Sequence, residues 1–461
     1  MHYFTTEKTS YKRLYKIGFN IHAAIYCLLL SLQFILWSQN LLKFQEFVFL
    51  IFFIILVVKS IRKNGLISLY TIFLLLCFVF DFSRFYLDLI GFYDVTHGEF
   101  FGKYLFPVET ITLNIVLMHI SVFLIDLGYY LFPQPKIPER ELKNDKIQRK
   151  IILISMGVTF PFSVYGNYLI LKFVLDNGYY ALAAKMSNLG DIIPFQLKIA
   201  EYIFKLFFYT SFFYKFNKKQ TVIIFGLFFI NSLMTGLRGS RGTMLFPFVF
   251  FFYLLASKRK LIKINFIKIF TIIIISYVFF QVSSTIREIG VGDESLDQII
   301  HNILVGQSQS ILIPFIYIDA YNTLPHMKLP FILGDVINSY ITYPFAQPGL
   351  INHLITSNAQ NGLGYSPFAE MYDLGLFGII IAIFIGWYIK SITKNIDKNY
   401  KANLFFIIAG MSIIWMPRDC ILRVFFETNV MFMGAAFIVY ILLGFLTKYL
   451  LVFRIKNNMK N

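Results

Sequence analysis

Charge is what this chain lacks most. Asp, Glu, Lys and Arg together make up 15% of its 461 residues, against about 25% in an ordinary soluble domain. Cysteine is almost absent: Cys27, Cys77 and Cys420 stand alone, with no CxxC pair and no Cys/His cluster. That excludes a disulfide framework and gives no zinc-ligand spacing. No metal and no cofactor is implied. Period-two alternation is missing as well, which excludes a barrel of membrane strands. No small-residue cleavage site follows the first apolar run, so that run is expected to stay as a span. There is also no internal repeat or inverted symmetry of the kind that marks many secondary transporters.

What is abundant is apolar surface. The chain is 57% hydrophobic, contains 55 Phe and has a mean hydropathy of +0.66. Apolar runs of about 15–25 residues follow one another along its length, the pattern of helices that cross a bilayer. The expectation is an all-α, polytopic integral membrane protein of about 12 transmembrane helices, forming one membrane domain over 1–461. The runs lie at 17–37, 43–58, 66–80, 108–132, 150–174, 196–214, 220–236, 243–257, 264–283, 374–392, 402–416 and 429–453. An even number places both termini on one side. The loop with Lys59, Arg62 and Lys63, the linker 133–150, and 215–219, 258–263 and 390–401 fall on that side too. It then carries most of the 42 Lys and Arg and few of the 25 Asp and Glu. By the positive-inside rule it is cytoplasmic. The net charge of +17 is therefore topological. A nucleic-acid partner would need a basic groove, and none is present. The spans hold few charges, such as Glu46, Asp126 and Glu201, which argues against a polar transport path.

The opposite side is organised around a long extracytoplasmic loop, 284–373. Basic residues are disfavoured there, so each arginine present has a functional reading. These are Arg84, Arg238, Arg241, Arg287, Arg418 and Arg423. A guanidinium forks to two oxygens of a phosphate or carboxylate, so these residues suggest an anion at the outer face. In Thr235-Gly-Leu-Arg-Gly-Ser-Arg-Gly242, glycines allow close backbone approach and Arg238 and Arg241 can grip one phosphate. Arg287 precedes Glu288 at the start of the long loop. Leu296, Ile299, Ile300 and Ile303 have the spacing of a surface helix. Residues 81–103 read as an acidic, aromatic outer loop capping the interface. In Asn361-Gly-Leu-Gly-Tyr-Ser-Pro-Phe-Ala-Glu-Met-Tyr-Asp-Leu-Gly375, Ser366 and Pro367 have N-cap and N1 character, so a helix starts there. Glu370 falls in its first turns, where a carboxylate can act as a base toward a sugar hydroxyl or pair with an arginine. Met416-Pro-Arg-Asp-Cys-Ile-Leu-Arg423 adds Arg418 and Arg423 to the cationic rim.

Together, the span number, the large second-half outer loop, the Gly-Leu-Arg-Gly-Ser-Arg-Gly turn and the Gly-Tyr-Ser-Pro-Phe-Ala-Glu-Met-Tyr-Asp-Leu-Gly tail resemble the Wzy-type O-antigen and capsule repeat-unit polymerases. The resemblance implies a bacterial inner-membrane glycosyltransferase. Its substrates would be oligosaccharide repeat units on undecaprenyl diphosphate, within a bed of membrane lipids and with a chain-length regulator as a further partner. The growing chain would leave its lipid diphosphate and move as a block onto the next unit, without metal or nucleotide sugar. Arg238 and Arg241, then Arg287, Arg418 and Arg423, would hold the diphosphate, with Arg241 and Glu370 in the catalytic roles. Tyr365 and Tyr372 would contact sugar. An O-antigen ligase and a lipid-linked oligosaccharide flippase are the alternatives.

Overall fold

The computed structural model describes residues 24–97, 105–133, 142–178, 192–237, 312–320, 366–399, 404–418, 421–425 and 431–458. These residues are almost entirely helical and contain no strand. In chain order the helices are α1 (Ala24–Ser38), α2 (Leu42–Asn64), α3 (Leu69–Cys77), α4 (Ser83–Leu89), α5 (Val108–Leu131), α6 (Lys146–Asn177), α7 (Phe195–Ser211) and α8 (Lys218–Leu237). They continue with α9 (Leu312–Ala320), α10 (Pro367–Asp373), α11 (Leu376–Asn399), α12 (Leu404–Trp415), α13 (Ile421–Val424) and α14 (Met433–Asn458). Among the described residues, α2, α5, α6 and α8 are long and apolar enough to cross a membrane. The runs expected at 243–257 and 264–283, and the helix expected over 296–303, lie outside the described residues.

The chain divides into two compact units. The first comprises residues 1–66, 74–133 and 301–388, and α2 and α5 form its spine. Gln45 donates to the Thr112 carbonyl, Phe52 stacks on His119 at 3.9 Å, and Lys59 pairs with Asp126. Each pair is 67 residues apart, so the two helices run parallel in fixed register, with contacts repeating every seven residues. Seven residues is about two helical turns, which keeps a seam facing its partner. Lipid is as apolar as leucine, so helix association in a bilayer relies on packing and polar contacts rather than on burying apolar surface from water. Here the seam supplies both.

Rings fill the rest of this unit. Phe82 meets Phe49 edge-on at 4.9 Å, Phe53 at 5.2 Å and Phe368 of α10 at 5.2 Å, and Phe315 of α9 meets Phe106 at 5.3 Å. Such pairs add about 0.5–1.5 kcal/mol each beyond their buried area. On its other face α5 crosses α11 at two glycines. A Cβ on Gly128 would collide with the Ile383 carbonyl, and one on Gly386 with the Ile125 carbonyl. Only glycine permits that approach.

The second unit comprises residues 67–73, 134–300 and 389–461. Its helices α6 and α7 pack through Ile170, Val174 and Leu197, joined by Ile193 just before α7. Phe208 of α7 lies flat on Phe228 of α8 at 3.7 Å. Asp145 caps α6, accepting from the amides of Ile147 and Gln148 at 2.9 and 3.1 Å. Gln148 then ties α6 to α14, donating to the Leu443 carbonyl at 3.1 Å and the Thr447 hydroxyl at 2.7 Å.

One sequence expectation is overturned. The outer loop expected to start at residue 81 is helical as far as Leu89. Phe78–Phe82 forms a π-turn between α3 and α4. The charges at 81, 84 and 88 recur at helical spacing and face inward, so polar character there marks an interior face and not the end of the helix.

Candidate active site

The site is assembled on the short helix α10, in the N-terminal half of the α2–α5 pair. Its start follows from local sequence. Ser366 is extended (φ −127°, ψ 136°) and its hydroxyl accepts from the Phe368 amide at 3.3 Å; Pro367 follows at N1, where a missing N–H costs nothing. Gly375, at φ +55°, turns the chain from α10 into α11, a conformation that favours glycine.

Side chains fix α10 to two neighbours. The Ser366 hydroxyl donates to Asp81 Oδ1 at 3.3 Å, and the Tyr372 hydroxyl donates to the Asn114 carbonyl at 3.0 Å. Glu370 lies between those two anchors in sequence. It is completely buried, as are Ser366 and Asp81. The second oxygen of Asp81 has no hydrogen-bond partner among the described residues. A buried, unpaired carboxylate oxygen costs about 1–3 kcal/mol or more, a demand that an incoming hydroxyl donor would meet. Enclosure, with Asp81 close by, holds the Tyr372 phenol well above its ordinary range, so it remains a hydroxyl.

A second polar group continues along the same helical stretch from Asp81. Arg84, wholly buried, donates through Nη1 to the Tyr93 hydroxyl at 2.8 Å and lies over that ring at 4.9 Å. Tyr93 in turn donates to the His97 carbonyl at 2.6 Å. Lys43 bridges to Asp88, and its ammonium stands 3.9 Å from Glu46, whose side chain is fully buried. Besides Asp126, which pairs with Lys59, the described residues of the unit thus hold a buried guanidinium and four buried carboxyls: Glu46, Asp81, Asp88 and Glu370. Among the described residues no group of His, Cys, Asp and Glu has the arrangement of a metal site. The arrangement suits binding and orienting a polyhydroxylated molecule, because carboxyl and hydroxyl groups together offer both donors and acceptors to sugar hydroxyls.

Of the residues picked out by sequence, the structure brings Glu370 and Tyr372 together on α10. Arg418 ends the 3-10 turn Met416–Arg418 in the other unit, half-buried, and Arg423 lies in α13. Arg238, Arg241, Arg287 and Tyr365 lie outside the described residues. Asp81 and Asp88 are the functional candidates that sequence reasoning missed, and Arg84, read there as one of the outer-face arginines, stands buried with them. Their signal was present: the spacings of three and four residues put them on one helical face of an otherwise apolar, aromatic stretch.

The family described as O-antigen polysaccharide polymerase Wzy matches residues 20–450, nearly the whole chain. No curated protein and no solved structure matches it.

Proposed function

The chain belongs to the O-antigen polysaccharide polymerase Wzy family, and from that premise we propose how its residues share the work of joining repeat units. Members of this family are inner-membrane glycosyltransferases that polymerise lipid-linked oligosaccharide repeat units. The observation that carries the assignment is the extent of the match, 20–450.

In the proposed reaction the growing chain sits on undecaprenyl diphosphate at the outer face. The bond from its anomeric carbon to the diphosphate oxygen breaks. A hydroxyl of the incoming unit bonds to that carbon and gives up its proton to a base. The undecaprenyl diphosphate leaves with the electron pair. Charge develops on the diphosphate, where fixed guanidinium groups act most strongly. Arg238 and Arg241 take that role, with Arg287, Arg418 and Arg423 extending the cationic rim. Glu370 is the base. Its support is placement: a fully buried carboxyl in a capped first turn, on a helix held through Asp81 and Asn114. Tyr365 and the ring of Tyr372 contact sugar. The full architecture in this reading is about 12 spans with the 284–373 loop outside and both termini cytoplasmic. A chain-length regulator acts on the same complex.

The test compares surface polysaccharide from a deletion strain with that from complemented strains. Wild-type chain restores a ladder, whereas Glu370→Gln, at matched membrane abundance, leaves single repeat units. A normal ladder from Glu370→Gln removes Glu370 from the mechanism, and an unchanged ladder in the deletion strain removes the polymerase assignment from this chain.

A further inference from the structure

A ladder of buried polar side chains joins α6 to α8 in the second unit. The Ser163 hydroxyl donates to Asn231 Oδ1 at 2.7 Å, and Asn167 Nδ2 donates to the same oxygen at 3.2 Å. One turn further on, the Thr235 hydroxyl lies 3.4 Å from Asn167 Oδ1 and also donates to the Asn231 carbonyl at 2.9 Å. All four side chains are at most 3% exposed. The pairs 163/231 and 167/235 share one offset of 68 residues. The helices therefore run parallel, locked in register by side-chain bonds and not by apolar fit alone.

The ladder occupies the last two turns of α8, and Thr235 is three residues before Arg238. Hydrophobic packing between apolar helices leaves rotation and sliding loosely fixed, because one greasy ridge replaces another at little cost. A bifurcated amide acceptor does not slip: a shift of one residue turns Asn231 away from both donors by about 100°. Elsewhere in this unit, α7 meets α8 through aromatic stacking at Phe208 and Phe228. The polar set is concentrated where α8 ends.

We propose that Ser163, Asn167, Asn231 and Thr235 are positioning residues that set the rotation and depth at which α8 delivers Arg238 and Arg241 to the diphosphate of the lipid carrier. This rests on the reading above that these arginines hold the diphosphate. The ladder touches no substrate; it acts through the helix end.

The experiment measures binding of undecaprenyl diphosphate to the full chain in nanodiscs, beside KM and kcat for lipid-linked repeat units. The triple variant Ser163→Ala, Asn167→Leu, Asn231→Leu removes donors and acceptor together, so that none of the three leaves a bonding partner buried and unpaired. It should insert and melt like wild type while binding undecaprenyl diphosphate about tenfold more weakly, with KM raised more than kcat is lowered. Asn231→Asp, which keeps the shared acceptor oxygen, should recover most of the binding. If Arg241→Ala loses binding and the triple variant keeps it, the ladder proposal is overturned and the arginine reading stands. If neither loses binding, the arginine reading falls and the ladder proposal falls with it. If the triple variant only melts earlier, at wild-type affinity, the ladder is structural and the proposal is overturned.

Discussion

Lys59 and Asp126 offer the sharpest test of the α2–α5 seam. Their side chains are 4% and 5% exposed, so each carries the other's charge compensation. Removing one partner of such a pair costs about 3–5 kcal/mol, because the remaining charge stays buried. That is roughly two to three and a half decades in the folded-to-unfolded ratio. The two single variants should nevertheless differ. After Asp126→Leu, Lys59 still lies over the Tyr130 and Tyr26 rings, 4.3 and 4.9 Å from their centroids. Each ring returns about 0.5–2 kcal/mol. The long stem can also carry the ammonium toward the helix end, past Arg62 and Lys63. After Lys59→Met, Asp126 has a short side chain and no comparable escape. Lys59→Met should therefore be the more damaging by about 1–3 kcal/mol. The double variant removes both charges and should match wild type or exceed it by about 1–4 kcal/mol. Thermal melting of a fluorescent fusion in detergent, with abundance in isolated membranes, reads all three. A double variant that melts with Lys59→Met would show that the pair does not compensate as argued.

Three further outcomes follow from other contacts. Gly386→Ala must push α11 off the Ile125 carbonyl, an overpacking cost of about 1–3 kcal/mol; Gly434→Ala, with open space around the new methyl, should gain up to about 1 kcal/mol, and a melt in which both behave alike would refute the close crossing. Ser366→Ala removes the cap of α10 and leaves Asp81 unbonded, for about 1–3 kcal/mol in total, whereas Asp81→Asn keeps the acceptor and should melt closer to wild type. Arg241→Ala should lower the polymerisation rate by about 10²–10³-fold; Arg241→Lys should recover only part of it, and full recovery would reduce forked recognition to simple positive charge.

Much of the helical content was legible because hydropathy reads apolar length directly. The runs at 43–58, 108–132 and 220–236 became α2, α5 and α8. Hydropathy also underestimates helix length, since charged ends remain helical: α6 starts at Lys146 behind its Asp145 cap, and α14 continues to Asn458. The start of α10 was legible because capping is local chemistry, carried by Ser366 and Pro367 themselves. The inward turn of Asp81, Arg84 and Asp88 was not read, because a charge after an apolar run ordinarily marks the membrane surface. Only the partners of that face, Lys43, Tyr93 and Ser366, reveal it as interior. The seam registers were equally out of reach. Heptad spacing in Gln45, Phe52 and Lys59 is visible once Thr112, His119 and Asp126 are known to lie opposite, but which helix pairs with which is a tertiary fact.

The constant offset of 67 residues between α2 and α5 also sets an order of events during synthesis. A parallel partner cannot arrive as the next hairpin; the chain must cross back first. At about 5–20 residues per second, Asp126 leaves the ribosome some 3–13 s after Lys59. For that interval α2 waits in the translocon or bilayer with a solitary ammonium near its basic end. Lysine tolerates the wait, because its stem can lift the charge to the headgroups. A carboxylate in its place would have no such reach. Exchanging the two residues would preserve the finished ion pair, yet would send the less forgiving charge into the membrane first.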